Sequence, residues 1–165
     1  MKTVVFDFET TSHNKGNPFD DSNVPVCIAL LIAEENVKPR IEWFHFHDSG
    51  GRSCREGTLK SELSEKGNLL VGHNIKFDLH WLNRLGWEHS ANYWDTMFPA
   101  HIAREGDRSI SIALESLVPN KLKMGTKLLR AGVSPIDWPP SWVIRYCVQD
   151  VIETYNLYLR QQDVP

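Results

Sequence analysis

No stretch of this 165-residue chain approaches the roughly 20 consecutive apolar residues of a membrane-crossing helix, so none is expected. Cysteine is scarce. Cys27, Cys54 and Cys147 are odd in number and lack metal-ligand spacing. They point to reduced thiols in a cytosol-like compartment, and away from a disulfide scaffold or a zinc module. There is no excess of basic residues either, and the formal net charge is −3. That balance weighs against a nucleic-acid partner unless cationic groups are unevenly distributed or acids are neutralised by bound metal. Internal repeats, low-complexity tracts and linkers are missing. Met1-Lys2-Thr3 leads straight into an apolar run expected to form a strand, so no signal peptide is expected here. With 41% hydrophobic and 24% charged residues, the composition is that of one ordinary globular domain, expected to span residues 1–165.

The most informative stretch is Val4-Val5-Phe6-Asp7-Phe8-Glu9-Thr10-Thr11. Its β-branched and aromatic start predicts a buried strand. Residues i and i+2 of a strand share a face, so the Asp7 and Glu9 carboxylates should emerge together. Two like charges side by side call for a cation, and a hard divalent metal suits carboxylate oxygen. The alternative is an Asp-X-Glu that opens a solvated loop.

Residues 12–23 are dense in turn formers. Strands are expected at Val24–Ala33 and Arg40–Asp48, the latter with aromatics on both faces and with His45 and His47 on one side. For those two histidines a partly exposed polar face is favoured over a metal pair. A loop at 50–57 precedes a short amphipathic helix at Thr58–Lys66 and a strand at Asn68–Val71. Phe77, Trp81, Leu82 and Leu85 recur at helical spacing within Ile75–Leu85, and Gly86 suits the C-cap. Tyr93–Thr96 predicts a strand and Met97 to about Arg104 a helix. The closing helix is expected after Pro139-Pro140, with Ser141 as N-cap, and should run to about Leu159 on a core face that includes Ile144, Cys147, Val148 and Val151. Together these elements predict an α/β domain with a mixed sheet.

Two further pieces carry chemistry. In Gly72-His73-Asn74-Ile75-Lys76-Phe77-Asp78, Asp78 sits in the first turn of a helix, where the helix dipole alone would favour an acid. In Tyr146-Cys147-Val148-Gln149-Asp150, Tyr146 and Asp150 are four apart and stand on one helix face. Each taken singly also fits an amphipathic helix with an incidental acid.

In combination and in this order, Asp7-Phe8-Glu9-Thr10, Asn74 through Asp78 and Tyr146 through Asp150 resemble the three motifs of the DEDD family of 3′–5′ exonucleases, in the subgroup with Tyr-X-X-X-Asp as its third motif. The chain resembles the proofreading exonuclease domain of family A DNA polymerases and its small stand-alone relatives, many of them phage-encoded. Trp94-Asp95-Thr96-Met97 is similar to a further Asp-Thr-Met segment of that domain. The likeness covers residues 3 to about 160. Arg145 stands where the histidine subgroup would carry its histidine, so a histidine-type mechanism is not supported.

The resemblance implies a ribonuclease H-like fold, a mixed five-stranded sheet flanked by helices. It implies that Asp7, Glu9, Asp78 and Asp150 hold two divalent cations, Mg²⁺ or Mn²⁺, about 3.5–4 Å apart, with Asp7 bridging. Tyr146 then orients the attacking water, since a phenol with a reference pKa of about 10 is a poor base at neutral pH. The implied activity is metal-dependent 3′–5′ hydrolysis of single-stranded DNA to 5′-mononucleotides. The alternatives are an exoribonuclease of ribonuclease D type and a nuclease-fold module that binds nucleic acid without cutting it. By motif match Thr10, Asn74 and Phe77 line the pocket for the terminal nucleotide, although for Phe77 a place in the core is favoured over stacking. Lys121, Lys123, Lys127 and Arg130, a run of cations with no acid among them, become phosphate contacts. Arg104 and Arg108 are weaker candidates, and Asp95 supports the site without being a ligand. Implied partners are the 3′ end of single-stranded DNA and a separate DNA polymerase or replication protein, in the cytoplasm of a bacterial or phage-infected cell.

Overall fold

The computed structural model describes residues 1–117 and 131–163. Its frame is a five-stranded mixed sheet of order β3-β2-β1-β4-β5. The strands are β1 (Thr3–Thr10), β2 (Pro25–Glu34), β3 (Val37–His45), β4 (Leu69–Gly72) and β5 (Asn92–Asp95). β1 pairs antiparallel with β2 and parallel with β4. It is therefore covered on both edges for its first residues and buried on both faces, which suits the unbroken apolar run of Val4, Val5 and Phe6.

Alternation along β1 divides the core in two. Val4, Phe6 and Phe8 pack with Leu59 and Leu63 of α1 (Glu56–Ser64) and with Ile75, Trp81 and Leu82 of α2 (Ile75–Leu85). On the opposite face Val5 joins Cys27, Ala29 and Leu31 of β2 against Val143, Cys147 and Val151 of the closing helix. Helices thus flank the sheet on both sides. Among the described residues, two short helices, α3 (Met97–Ala103) and α4 (Leu114–Leu117), lie between β5 and that closing helix, α5 (Pro140–Gln162). Among the described residues no helix is long and apolar enough to cross a membrane.

Most expected elements are present, and the differences have local causes. β3 begins at Val37 and ends at His45, three residues earlier at each end than expected. A tight turn links β2 to β3, with Glu34 paired to Val37 and Asn36 in the left-handed region at φ 60°. Residues 37–40 of this edge strand are exposed, so no apolar period announces them. Trp43 and Phe44 do pack into opposite halves of the core. α1 starts two residues early, at Glu56. α2 matches its expected bounds, and Gly86 closes it at φ 71°. Ser141 is not the N-cap of α5, because the helix begins at Pro140 with Pro139 as cap. Proline at the first helical position supplies the right φ, and the N–H it lacks would have had no intrahelical partner there.

His45 is buried and His47 exposed, so the expected polar face holds only for His47. The His47 backbone N–H donates to His45 Nδ1 at 3.1 Å, and His47 Nε2 donates to the Pro25 carbonyl at 3.0 Å. Cys27, Cys54 and Cys147 are free thiols, as expected.

Candidate active site

The site grows from a mismatch in strand length. β4 pairs with β1 only through Thr3, Val4 and Val5, whereas β1 continues to Thr10. Beyond Val5 that edge of β1 is open, and its backbone N–H groups need acceptors. Asp78 supplies one: its Oδ1 accepts the Phe8 N–H at 3.0 Å, with the side chain only 2% exposed. The acid in the first turn of α2 is thereby pinned beside Asp7 and Glu9, which are partly buried.

Asp95, at the end of β5, sets where α2 begins. Its Oδ1 accepts the N–H groups of Asn74 and Met97, each at 2.9 Å, and its Oδ2 accepts that of Ile75 at 3.3 Å. One carboxylate thus satisfies donors at the starts of both α2 and α3. The Thr96 N–H donates to the Gly72 carbonyl at 2.9 Å and extends the same junction. His73 spans it, with Nδ1 2.8 Å from Thr96 Oγ1 and Nε2 2.8 Å from the Ile112 carbonyl. Removing the Asp95 carboxylate should therefore loosen the start of α2. We expect Asp95→Ala to cost about 1–2 kcal/mol, a typical penalty for losing a cap. Asp95→Asn, which keeps one carbonyl oxygen, should recover most of it. Denaturant midpoints of the two variants check this.

From the other side of the sheet, α5 contributes Tyr146, Cys147 and Asp150, all buried. The Tyr146 ring meets Trp138 edge-on, with centroids 5.6 Å apart. The Cys147 thiol donates to the Asp7 carbonyl oxygen at 3.2 Å and lies 3.8 Å from Asp7 Oδ2. Oxygen atoms of Asp7 and Glu9 and the Cys147 sulfur all lie within 4.8 Å of one another.

The charges of Asp150, Glu9 and Asp78 all act on Asp7, so these acids lie near one another. Burial pushes the Asp7 carboxyl well above its usual range, and the charges of Asp150, Glu9 and Asp78 push it further in the same direction. Burial raises Asp78 as well; the Phe8 N–H opposes that rise, while Asp150 and Asp95 add to it. Burial also raises the Cys147 thiol, followed by neighbouring Cys27 and then by the charges of Asp7 and Glu9. A convergence of carboxylates that destabilise each other's ionised forms is a site made for positive charge.

The other expected residues separate into groups. Thr10 is buried, its hydroxyl donating to the Thr11 carbonyl at 3.0 Å. Phe77 is half-buried and packs on the core cluster that holds Phe8. Gly16, at φ 76°, lies over both: a Cβ there would come within 3.2 Å of Thr10 Oγ1 and 3.5 Å of the Phe77 ring. Asn74 is exposed at the start of α2. Arg104 donates to the Ile110 carbonyl and to Nδ1 of His101 in α3, and Arg108 is exposed. Lys121, Lys123, Lys127 and Arg130 lie outside the described residues. Two features escaped the sequence reading, namely the helix-capping role of Asp95 and the position of Cys147 against Asp7. The second had a signal, since Cys147 precedes Asp150 by three residues on one helix face.

Residues 1–162 match a family model described as 3′–5′ exonuclease. DNA polymerase I of Aquifex aeolicus (strain VF5) is 27% identical over 106 residues, which are 64% of this chain and 17% of the polymerase. Among solved structures, Brucella melitensis NrnC with bound Mg²⁺ shares the fold with a TM-score of 0.60 at 16% identity, over 97% of this chain and 71% of that one. Pol1 from M. smegmatis, in complex with DNA primer-template and dNTP, aligns with a TM-score of 0.54 at 17% identity, over 94% of this chain and 22% of its own. The mixed five-stranded sheet with helices on both faces is the ribonuclease H-like fold of DEDD exonucleases.

Proposed function

Because the chain belongs to the 3′–5′ exonuclease family, we propose that it shortens single-stranded DNA from the 3′ end and releases 5′-mononucleotides as a single catalytic domain. One observation carries this reading: Asp78 of α2 accepts the Phe8 N–H at the open edge of β1, between Asp7 and Glu9, while α5 sets Cys147 against Asp7 three residues before Asp150.

The donor set fits hard divalent cations, because Asp7, Glu9, Asp78 and Asp150 offer carboxylate oxygen and the crowding of Asp7 is relieved by positive charge. These four residues would hold two such ions, Mg²⁺ or Mn²⁺. When bound, such ions supply an activated water and neutralise charge on the phosphoryl and leaving oxygens. The protein's part is positioning. Asp78 is fixed by the Phe8 N–H and Asp95 sets the start of its helix, so the carboxylate is held ready before substrate arrives. Tyr146, one helical turn before Asp150 and held edge-on by Trp138, orients the attacking water by hydrogen bond. By the motif match, Thr10, Phe77 and exposed Asn74 line the place of the terminal nucleotide, with Gly16 packed against Thr10 and Phe77.

Matched DNA and RNA oligonucleotides labelled at the 5′ end test the proposal, incubated with Mg²⁺ in the presence and absence of chelator. The expected result is a descending ladder from the DNA that stops when chelator is added. Equal or faster shortening of RNA would overturn the substrate assignment in favour of an exoribonuclease. A mobility shift without shortening would overturn catalysis and leave a binding module.

A further inference from the structure

One group in the pocket has no part in oxygen-only cation chemistry. Cys147 is fully buried, at 0% exposure. Its sulfur is directed at Asp7, 3.2 Å from the backbone carbonyl oxygen and 3.8 Å from Oδ2. The placement follows from the fold. β1 turns residues 7 and 9 toward one face, α5 crosses that face, and Val143, Cys147 and Val151 recur every four residues along its buried side. Among the described residues, Asp7, Glu9 and Cys147 form a cluster whose ligand atoms lie within 4.8 Å of one another. Thiolate and carboxylate ligands bind a borderline-soft divalent ion at about 2.0–2.3 Å, so two atoms on one ion lie at most about 4.6 Å apart, close to the spacing found among these three side chains.

We propose that Asp7, Glu9 and Cys147 form a mixed carboxylate–thiolate site for thiophilic divalent cations such as Zn²⁺, Cd²⁺ or Co²⁺, which compete there with Mg²⁺. The proposal rests on the exonuclease reading only in giving Asp7 and Glu9 to the hard cations as well. On binding, the Cys147 S–H bond breaks, its proton passes to solvent, and a sulfur–metal bond replaces the hydrogen bond to the Asp7 carbonyl. A hard ion gains little from sulfur, so with Mg²⁺ the thiol keeps its proton and its hydrogen bond. Cys27 is the control residue. It is also fully buried, and it pairs with Glu9 across the β1–β2 ladder, yet it does not belong to the three-ligand cluster.

Titration of the full chain with Co²⁺, followed by absorption in the near ultraviolet, is the test. Wild type should develop a thiolate-to-cobalt charge-transfer band that excess Mg²⁺ reduces. Cys147→Ser should abolish the band, whereas Cys27→Ser and Cys54→Ser should retain it. Asp7→Asn, which leaves the thiol in place, should weaken Co²⁺ binding by about tenfold or more. Absence of the band in wild type, or its persistence in Cys147→Ser, would overturn the proposal, as would a band lost only in Cys27→Ser. The exonuclease reading is judged separately: Mg²⁺-dependent shortening of DNA without a cobalt band defeats only the thiolate site, and a band without shortening defeats only the nuclease.

Discussion

Asp7→Ala and Asp150→Ala should each lower the rate of oligonucleotide shortening by more than about 100-fold, beyond the 10–100-fold typical of residues that merely support a ligand. Both metal-free variants should unfold at or above the parent's temperature. These carboxylates are buried or half-buried among other acids, so folding holds together charges that repel. Deleting one removes repulsion along with function. The Asp7 backbone carbonyl that receives the Cys147 thiol, and the β1–β2 ladder around it, do not depend on the side chain. Near-parental activity in either variant would refute the ligand assignment. Tyr146→Phe forms the contrast. It keeps the ring against Trp138 and every carboxylate, so cleavage should slow while Mg²⁺ affinity, measured by calorimetry, stays close to the parent's. A loss of affinity as severe as in Asp7→Ala would refute the water-orienting role.

The second large effect is on stability. Asp7 and Asp78 hold their protons more tightly when folded than their ordinary value of 3.8 would allow. The folded state therefore binds more protons than the unfolded state at pH values above that point. The stability these two groups contribute is full below the ordinary value and is lost as pH rises through their raised folded values. In metal-free protein, Asp7→Asn and Asp78→Asn should accordingly flatten the fall in stability between mildly acidic and neutral buffer. Asp78→Asn keeps a carbonyl oxygen for the Phe8 N–H, so the change reports charge more than a lost hydrogen bond. Mg²⁺ should reverse the loss at neutral pH. At about 100 times its dissociation constant a ligand adds about 2.7 kcal/mol, and for a domain of this size each kcal/mol raises the melting temperature by about 2–4 °C. The gain should shrink toward acid pH, where protons compete for the same oxygens. Thermal scans with and without Mg²⁺ measure all of this. Parallel pH profiles for parent and variants would show that the carboxylates are not coupled.

Much of the molecule could be read from local pattern. The unbroken apolar run of β1, the i and i+2 acids at its end, the helical period of α2 with its terminal glycine, and the four-residue spacing of Tyr146 and Asp150 each depend on neighbours within a turn or two. Periodicity of that kind is written into the chain. Where an element had no period, its bounds shifted: the exposed residues of β3 belong to a strand only because β2 lies beside them, and Ser141 yields to Pro140 because backbone geometry outranks side-chain capping there.

What held the site together was not local. That β4 ends early enough to leave the Phe8 N–H for Asp78, that one Asp95 carboxylate starts two helices, and that a thiol from α5 stands against Asp7 are facts about distances between elements far apart in sequence. The order of the motifs pointed to Asp7, Glu9, Asp78 and Asp150 as the acids expected to meet. The burial that raises the Asp7 and Asp78 carboxyls, and the sulfur placed among them, followed only once the sheet and its two layers of helices had closed, because desolvation and Coulomb repulsion depend on separation in space and not along the chain.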